Sequence, residues 1–140
     1  MKVLVDSWGW ISLLSPKENR HKEVKQYYNR LKSNGAEIIT TDYILAETIT
    51  FLYRRLPVAA AEDALNTLNK AIDNDIIQLE WVSKIYFNEA INLRKRYKDK
   101  PDISFTDLTS IAIITDKNIK EVLTDDDHFI QVGLPVIKRP

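Results

Sequence analysis

A chain of 140 residues, 44% hydrophobic and 29% charged, has the composition of one globular domain with a substantial core, which excludes a disordered or fibrous protein. Its 20 basic and 20 acidic side chains cancel, so no whole-molecule field draws it to a polyanion, and any such binding must come from local patches. Cysteine is absent, which excludes disulfides and thiolate metal sites and agrees with a reducing compartment.

No apolar stretch follows a basic start, so no secretory signal is expected, and no window nears the ~18 apolar residues of a membrane span. The expected setting is the cytoplasm. With 3 Gly and 5 Pro and no repeat or linker, residues 1–140 read as a single domain. "KVLVD" predicts a short strand, followed by a helix from Ser7 to about Leu14 that Ser15-Pro16 ends. Lys17 to Lys32 predicts a polar helix with Val24, Tyr27, Tyr28 and Leu31 at helical spacing, closed by "SNG". "AEIITT" reads as a second strand, and Thr41 or Asp42 caps a helix that reaches about Leu56 before Pro57. "VAAAEDALNTLNKAID" predicts a helix and "DIIQLEWV" a third strand. Helices follow from Ser83 to about Lys98 and over "SFTDLTSIAIITDKN", then strands at "EVLT" and "LPVIKR".

Strands alternating with helices predict an α/β fold with a mainly parallel central sheet flanked by helices. Sites in such sheets lie beyond the carboxyl ends of the strands. Asp6 follows the first strand, Asp42 the second, and Asp125, Asp126 and Asp127 follow "EVLT". Each acid also has a plainer reading. Asp6 and Asp42 suit helix caps. Glu47 falls away from the apolar face set by Leu45, Ile49 and Leu52, on the side of Tyr43 and Arg54, as a solvated glutamate would. Ser104 and Asp107 fit a capping box, each satisfying the other's helix-end amide, and Asp102 fits the loop at Pro101. His128 reads as a polar loop residue.

The adjacent acids of "TDDDHF" are harder to explain as a turn, because they repel one another where Asn, Gly or Ser would serve better. Should Asp6, Glu47, Asp107 and Asp126 converge, each like-charged pair at ~4 Å costs on the order of 4 kcal/mol at an effective dielectric near 20. A hard divalent cation would neutralise such a cluster, and oxygen-only ligands select Mg²⁺ or Mn²⁺ over zinc. Metal-assisted phosphodiester hydrolysis is the matching chemistry.

Four blocks, "VLVDSWGWISLL", "TTDYILAETITFL", "DISFTDLTSIAI" and "VLTDDDHFIQVGL", together resemble the PIN-domain ribonucleases, in particular the VapC-type toxins of toxin–antitoxin pairs. The resemblance spans nearly the whole chain. It implies that Asp6, Glu47, Asp107 and Asp126 are the catalytic, metal-holding acids, with Asp102 and Thr124 as accessory residues. Asp125 departs from the family pattern, which has an uncharged residue there; His128 and Phe129 set the register that selects Asp126 over Asp125 and Asp127. The resemblance further implies hydrolysis of RNA to a 5′-phosphate and a 3′-hydroxyl, a homodimer, and a small antitoxin covering the site. Trp8, Trp10, Tyr27 and Tyr28 are candidates for that interface or for the core. Arg94, Arg96 and Lys98, around Tyr97, are the candidate RNA contacts, with Arg54-Arg55 and Lys138-Arg139 as smaller basic groups. A non-catalytic PIN-like binding module and a housekeeping ribonuclease are the alternatives. A phosphatase with a nucleophilic aspartate would need a second aspartate where Trp8 stands, and the acid and lysine pattern of a receiver is absent.

Overall fold

Val3, Leu4 and Val5 are wholly buried in the computed structural model, which describes residues 1–140. Their strand, β1 (Lys2–Val5), is apolar on both faces because it is the centre of the sheet, covered on each side by helices. Parallel neighbours flank it: β2 (Glu37–Thr41) on one side and β4 (Glu121–Leu123) on the other. Beyond β2 lies β3 (Ile77–Glu80), and beyond β4 the short β5 (Ile137–Arg139), giving the order β3-β2-β1-β4-β5 with every pair parallel.

Helices α1 (Ser7–Leu14) and α2 (His21–Ser33) connect β1 to β2. The next crossover, α3 (Asp42–Arg55) and α4 (Val58–Asp73), leads to β3. From that edge α5 (Lys84–Arg96) and α6 (Phe105–Lys117) carry the chain back across the sheet to β4. The strand order therefore reverses between β1 and β4, and a crevice opens beyond their carboxyl ends at this switch point. None of these helices is long and apolar enough to cross a membrane.

Two contacts seat α1 over the crevice. A Cβ on Gly9 would stand 2.8 Å from Val5 Cγ1 and 3.1 Å from the Leu123 carbonyl oxygen, so only glycine lets the helix lie on the ends of β1 and β4. The buried Trp10 indole donates to Thr40 Oγ1 at 2.9 Å, and that hydroxyl donates to the Val5 carbonyl at 3.3 Å, joining α1, β2 and β1.

The expected elements form, with three differences. Helix α2 starts at His21, not Lys17, because residues after Pro16 are held as successive turns by bonds from the Glu18 amide to Ser15 and the His21 amide to Glu18. On α3 the buried face is Ile44, Leu45, Thr48 and Leu52. Thr48 displaces Ile49 inward because its hydroxyl donates to the Ile44 carbonyl at 2.8 Å and so needs no water. A short helix, α7 (His128–Gln131), occupies what reads in the sequence as loop.

Candidate active site

Asp6 leaves the end of β1 as the N-cap of α1, its Oδ1 accepting from the Ser7 amide at 2.9 Å. The second oxygen accepts from the Thr124 hydroxyl at 2.9 Å. Capping and membership of an acidic cluster are therefore not alternatives; one oxygen performs each. Thr124 follows β4, and its Oγ1 accepts in turn from the Asp126 amide at 3.1 Å, so a single buried hydroxyl ties the first acid to the loop carrying the fourth.

Asp107 lies in the first turn of α6, whose N-cap Ser104 accepts from the Asp107 amide at 3.0 Å. The expected reciprocal bond does not form. An aspartate is a methylene shorter than the glutamate that closes a capping box, and this carboxylate instead meets His128 Nδ1 at 2.8 Å. Asp126 Oδ2 lies 3.0 Å from the same nitrogen, and its Oδ1 accepts from the His128 amide at 3.2 Å. A ring nitrogen between two carboxylate oxygens must carry its proton, so Nδ1 donates to the acids and orients them. His128 thus sits among the acids at the start of α7, not in an ordinary loop as its sequence reading has it. Its partner Asp107 is 21 residues away, beyond the reach of a local pattern.

Of the three adjacent acids, Asp126 alone faces this cluster with a bonded carboxylate; Asp127 pairs with Lys138 at 2.9 Å and Asp125 is exposed. Glu47 from α3 and Asp102 from the loop before α6 are exposed residues lining the same open cavity of about 600 Å³ with Asp6, Asp107, Thr124 and Asp126. Asp42 stays outside it. Thr41, not Asp42, caps α3, and Asp42 accepts from the Val82 amide at 2.7 Å, fastening the chain beyond β3.

Burial is the main reason that the Asp6 carboxyl is pushed up to about 6, with the charges of Asp107 and then Glu47 acting the same way against the Ser7 and Thr124 hydrogen bonds. Asp107 is raised too, first by burial and then by Asp126, against the hydrogen bond from His128. Both shifts reflect first the burial of a carboxylate and then its nearness to other carboxylates. Single ligand atoms from Asp107, Asp126 and His128 lie within 4.8 Å of one another, a group that could hold a metal ion, and its carboxylate oxygens suit a hard divalent cation.

The basic residues are placed differently. Arg94 donates to the carbonyls of Ile103, Tyr97 and Lys100, so three of its N–H groups brace the loop from α5 to α6, while the residue also lines a surface cavity with Lys95, Lys98 and Pro101. Arg96 is exposed in a separate cleft of about 540 Å³ between α5 and α6, with Tyr86, Leu93, Ala112 and Asp116. Lys98 is exposed beside Lys95 and Pro101. Trp10, Tyr27 and Tyr28 belong to the core, whereas Trp8 lines the acidic cavity.

The PIN domain family model matches residues 3–134. The chain is 27% identical over 140 residues to the 23S rRNA-specific endonuclease VapC20 of Mycobacterium tuberculosis, covering 97% of this chain and 98% of that protein. The solved structure of Mycobacterium tuberculosis VapC20, described as a sarcin-ricin loop cleaving toxin, superposes with a TM-score of 0.78 over 99% of each chain. VapBC2 from Rickettsia felis, bound to a DNA fragment from its promoter, has a TM-score of 0.73 at 13% identity, covering 99% of this chain and 98% of that one. DNA-bound VapBC from Salmonella typhimurium gives 0.69 at 15% identity, covering 99% and 98%. The last two likenesses concern the fold.

Proposed function

Since the chain belongs to the PIN-domain family, we propose that it is a metal-dependent endoribonuclease acting as the toxin of a VapBC-type pair. The observation that carries this is the convergence, at the β1–β4 switch point, of carboxylates from four separate parts of the chain: Asp6 after β1, Glu47 on α3, Asp107 on α6 and Asp126 after β4. A scaffold gains nothing from crowding them.

Asp6 and Asp107 are the principal holders of Mg²⁺ or Mn²⁺, directly or through water. Such an ion, when bound, supplies charge neutralisation at the phosphate and a more acidic water. Glu47, the least buried of the four, accepts the proton of the attacking water, and Asp126 completes the acidic wall. Thr124 keeps one oxygen of Asp6 fixed while the other caps α1. His128 is a positioning residue that aims Asp107 and Asp126 through its Nδ1 proton. Asp102 acts from the rim. The product ends are a 5′-phosphate and a 3′-hydroxyl. Lys98, and Arg96 at greater remove, supply outlying phosphate contacts. The similarity to VapC20 makes ribosomal RNA the first substrate to try. The setting is the cytoplasm, the oligomer a homodimer, and the antitoxin a small protein covering the acids.

The test is cleavage of a mixed RNA pool containing ribosomal RNA by the purified chain, with Mg²⁺, Mn²⁺ or EDTA. Cutting requires metal and disappears in folded Asp6→Asn and Asp107→Asn variants. Equal cutting by wild type and both variants would refute the assignment.

A further inference from the structure

Trp8 is the one hydrophobic side chain among the residues lining the acidic cavity. It stands in the first turn of α1, close to Asp6, half-buried against the core. The Arg20 guanidinium lies 5.3 Å from its ring centroid. Arg20 is itself tethered, by bonds of 2.8 and 2.9 Å to Glu23 and by one of 3.1 Å to the Pro140 carbonyl. Held by Glu23 and the Pro140 carbonyl, the Arg20 guanidinium lies over the plane of the indole.

A second open groove, of about 540 Å³ along α3, shares Glu47 with the cavity and is otherwise lined by Ala46, Thr50, Phe51, Arg54 and Arg55. Arg55 lies 5.0 Å from the centroid of the half-buried Phe51. Arg54 and Arg55 are exposed, and neither has a carboxylate within salt-bridge distance. Arg20 is anchored beyond β5, whereas α3 follows β2, and those strands are on opposite sides of the β1–β4 crevice. Cations in the last turn of α3 suit the helix dipole. That does not explain a groove joining them to the acids past an aromatic ring.

We infer that cavity and groove form one track for an unpaired RNA strand, in which a base beside the scissile phosphate stacks on Trp8 and the other side of the strand runs along α3 over Phe51 with its phosphates at Arg54 and Arg55. The inference rests on the nuclease reading for the identity of the strand. A neutral chain with an acidic centre has no general attraction for RNA, so the grip must come from the flanks. At 1.5 Å per residue Arg54 and Arg55 stand roughly 10–12 Å beyond Glu47, where they attract neighbouring phosphates without cancelling the acids. Only an unstacked base can lie on an aromatic plate, so unpaired RNA fits and duplex does not.

The experiment uses the full chain carrying Asp107→Asn, which prevents cutting, and a fluorescein-labelled single-stranded RNA in Mg²⁺ buffer, with affinity read by anisotropy across a salt series. Trp8→Ala weakens binding roughly 5- to 150-fold, and Trp8→Leu, which retains apolar volume without a π-face, does nearly the same, while Trp8→Phe keeps most of the affinity. Arg54→Gln with Arg55→Gln reduces the steepness of log K against log salt by about 1.4. The same RNA annealed to its complement binds more weakly, with no further loss on Trp8→Ala. The inference is overturned if Trp8→Leu binds like its parent, if the arginine pair leaves the salt dependence unchanged, or if the parent binds no RNA. In the cleaving chain the same Trp8 and arginine changes raise KM more than they lower kcat. Cleavage by wild type with unaltered KM in these variants would sink the track and leave the nuclease standing; RNA binding with these losses but no cutting in any metal would sink the nuclease reading alone.

Discussion

At Asp6 one carboxylate is divided between two tasks, and its energetics show the cost of the second. Since the folded-state value lies near 6, above the ordinary 3.8, the folded protein binds more protons than the unfolded chain between those values. The contribution of this group to stability without metal is therefore fully present below about pH 4 and falls as pH rises to about 6, by on the order of 3 kcal/mol. Asp107 is shifted in the same direction and adds to the fall. Asp6→Asn, which keeps an acceptor for the Ser7 amide, is expected to melt higher than wild type at pH 8 in EDTA, the gap closing below about pH 4. Thermal melts of the two proteins across that range check it. The positions of Asp6 and Asp126 after strands could be read from the pattern, whereas Glu47 and Asp107 enter the set only through the family resemblance. The role of His128 was not legible, because what fixes it is a carboxylate from another element.

Among the elements, α1 and the α5–α6 loop are set by residues whose importance differs from their appearance. Gly9 looks like a weak point in a helix, yet its missing side chain permits the approach to Val5 and Leu123. Gly9→Ala is expected to cost about 1–3 kcal/mol, against the usual gain from replacing a helical glycine, and to lower activity by lifting Asp6 from Thr124. Urea denaturation and initial rates on one preparation measure both. Arg94 shows the reverse case: charged and close to other cations, it reads as a nucleic-acid contact, but its donors are used by three carbonyls. Arg94→Gln should lose about 1–3 kcal/mol of stability while leaving the salt dependence of RNA binding unchanged, as denaturation and anisotropy titrations would reveal. A linear pattern records which side chains are polar; it does not record that a loop returns its carbonyls to a guanidinium.

For the molecule as a whole, the alternation of strand and helix was enough to expect a parallel sheet, and the apolar run Val3–Val5 enough to expect a buried strand. The order β3-β2-β1-β4-β5 was not in that pattern, because strand adjacency depends on where crossovers land. That order brings acids scattered along the chain to the wall of one cavity. Addition of Mg²⁺ or Mn²⁺ should thus raise the melting temperature, by the equivalent of about 2.7 kcal/mol at a concentration of a hundred times Kd. The effect should be larger at pH 8 than near pH 5, where protons compete for the carboxylates. Calorimetry at the two pH values, with EDTA as reference, decides it.

The bond between Asp6 and Thr124 also has a temporal meaning, for it spans 118 residues of chain. During synthesis the first acid emerges almost at once, and β1 waits with one side open until β4 arrives to pair with it. Contacts of such separation close late. A chain whose β4 segment has not yet joined the sheet holds Asp6 without the Thr124 hydroxyl it accepts from, and Asp107 without the His128 ring nitrogen it meets. The acidic cluster is therefore completed only when β4 and the segment after it have joined the sheet.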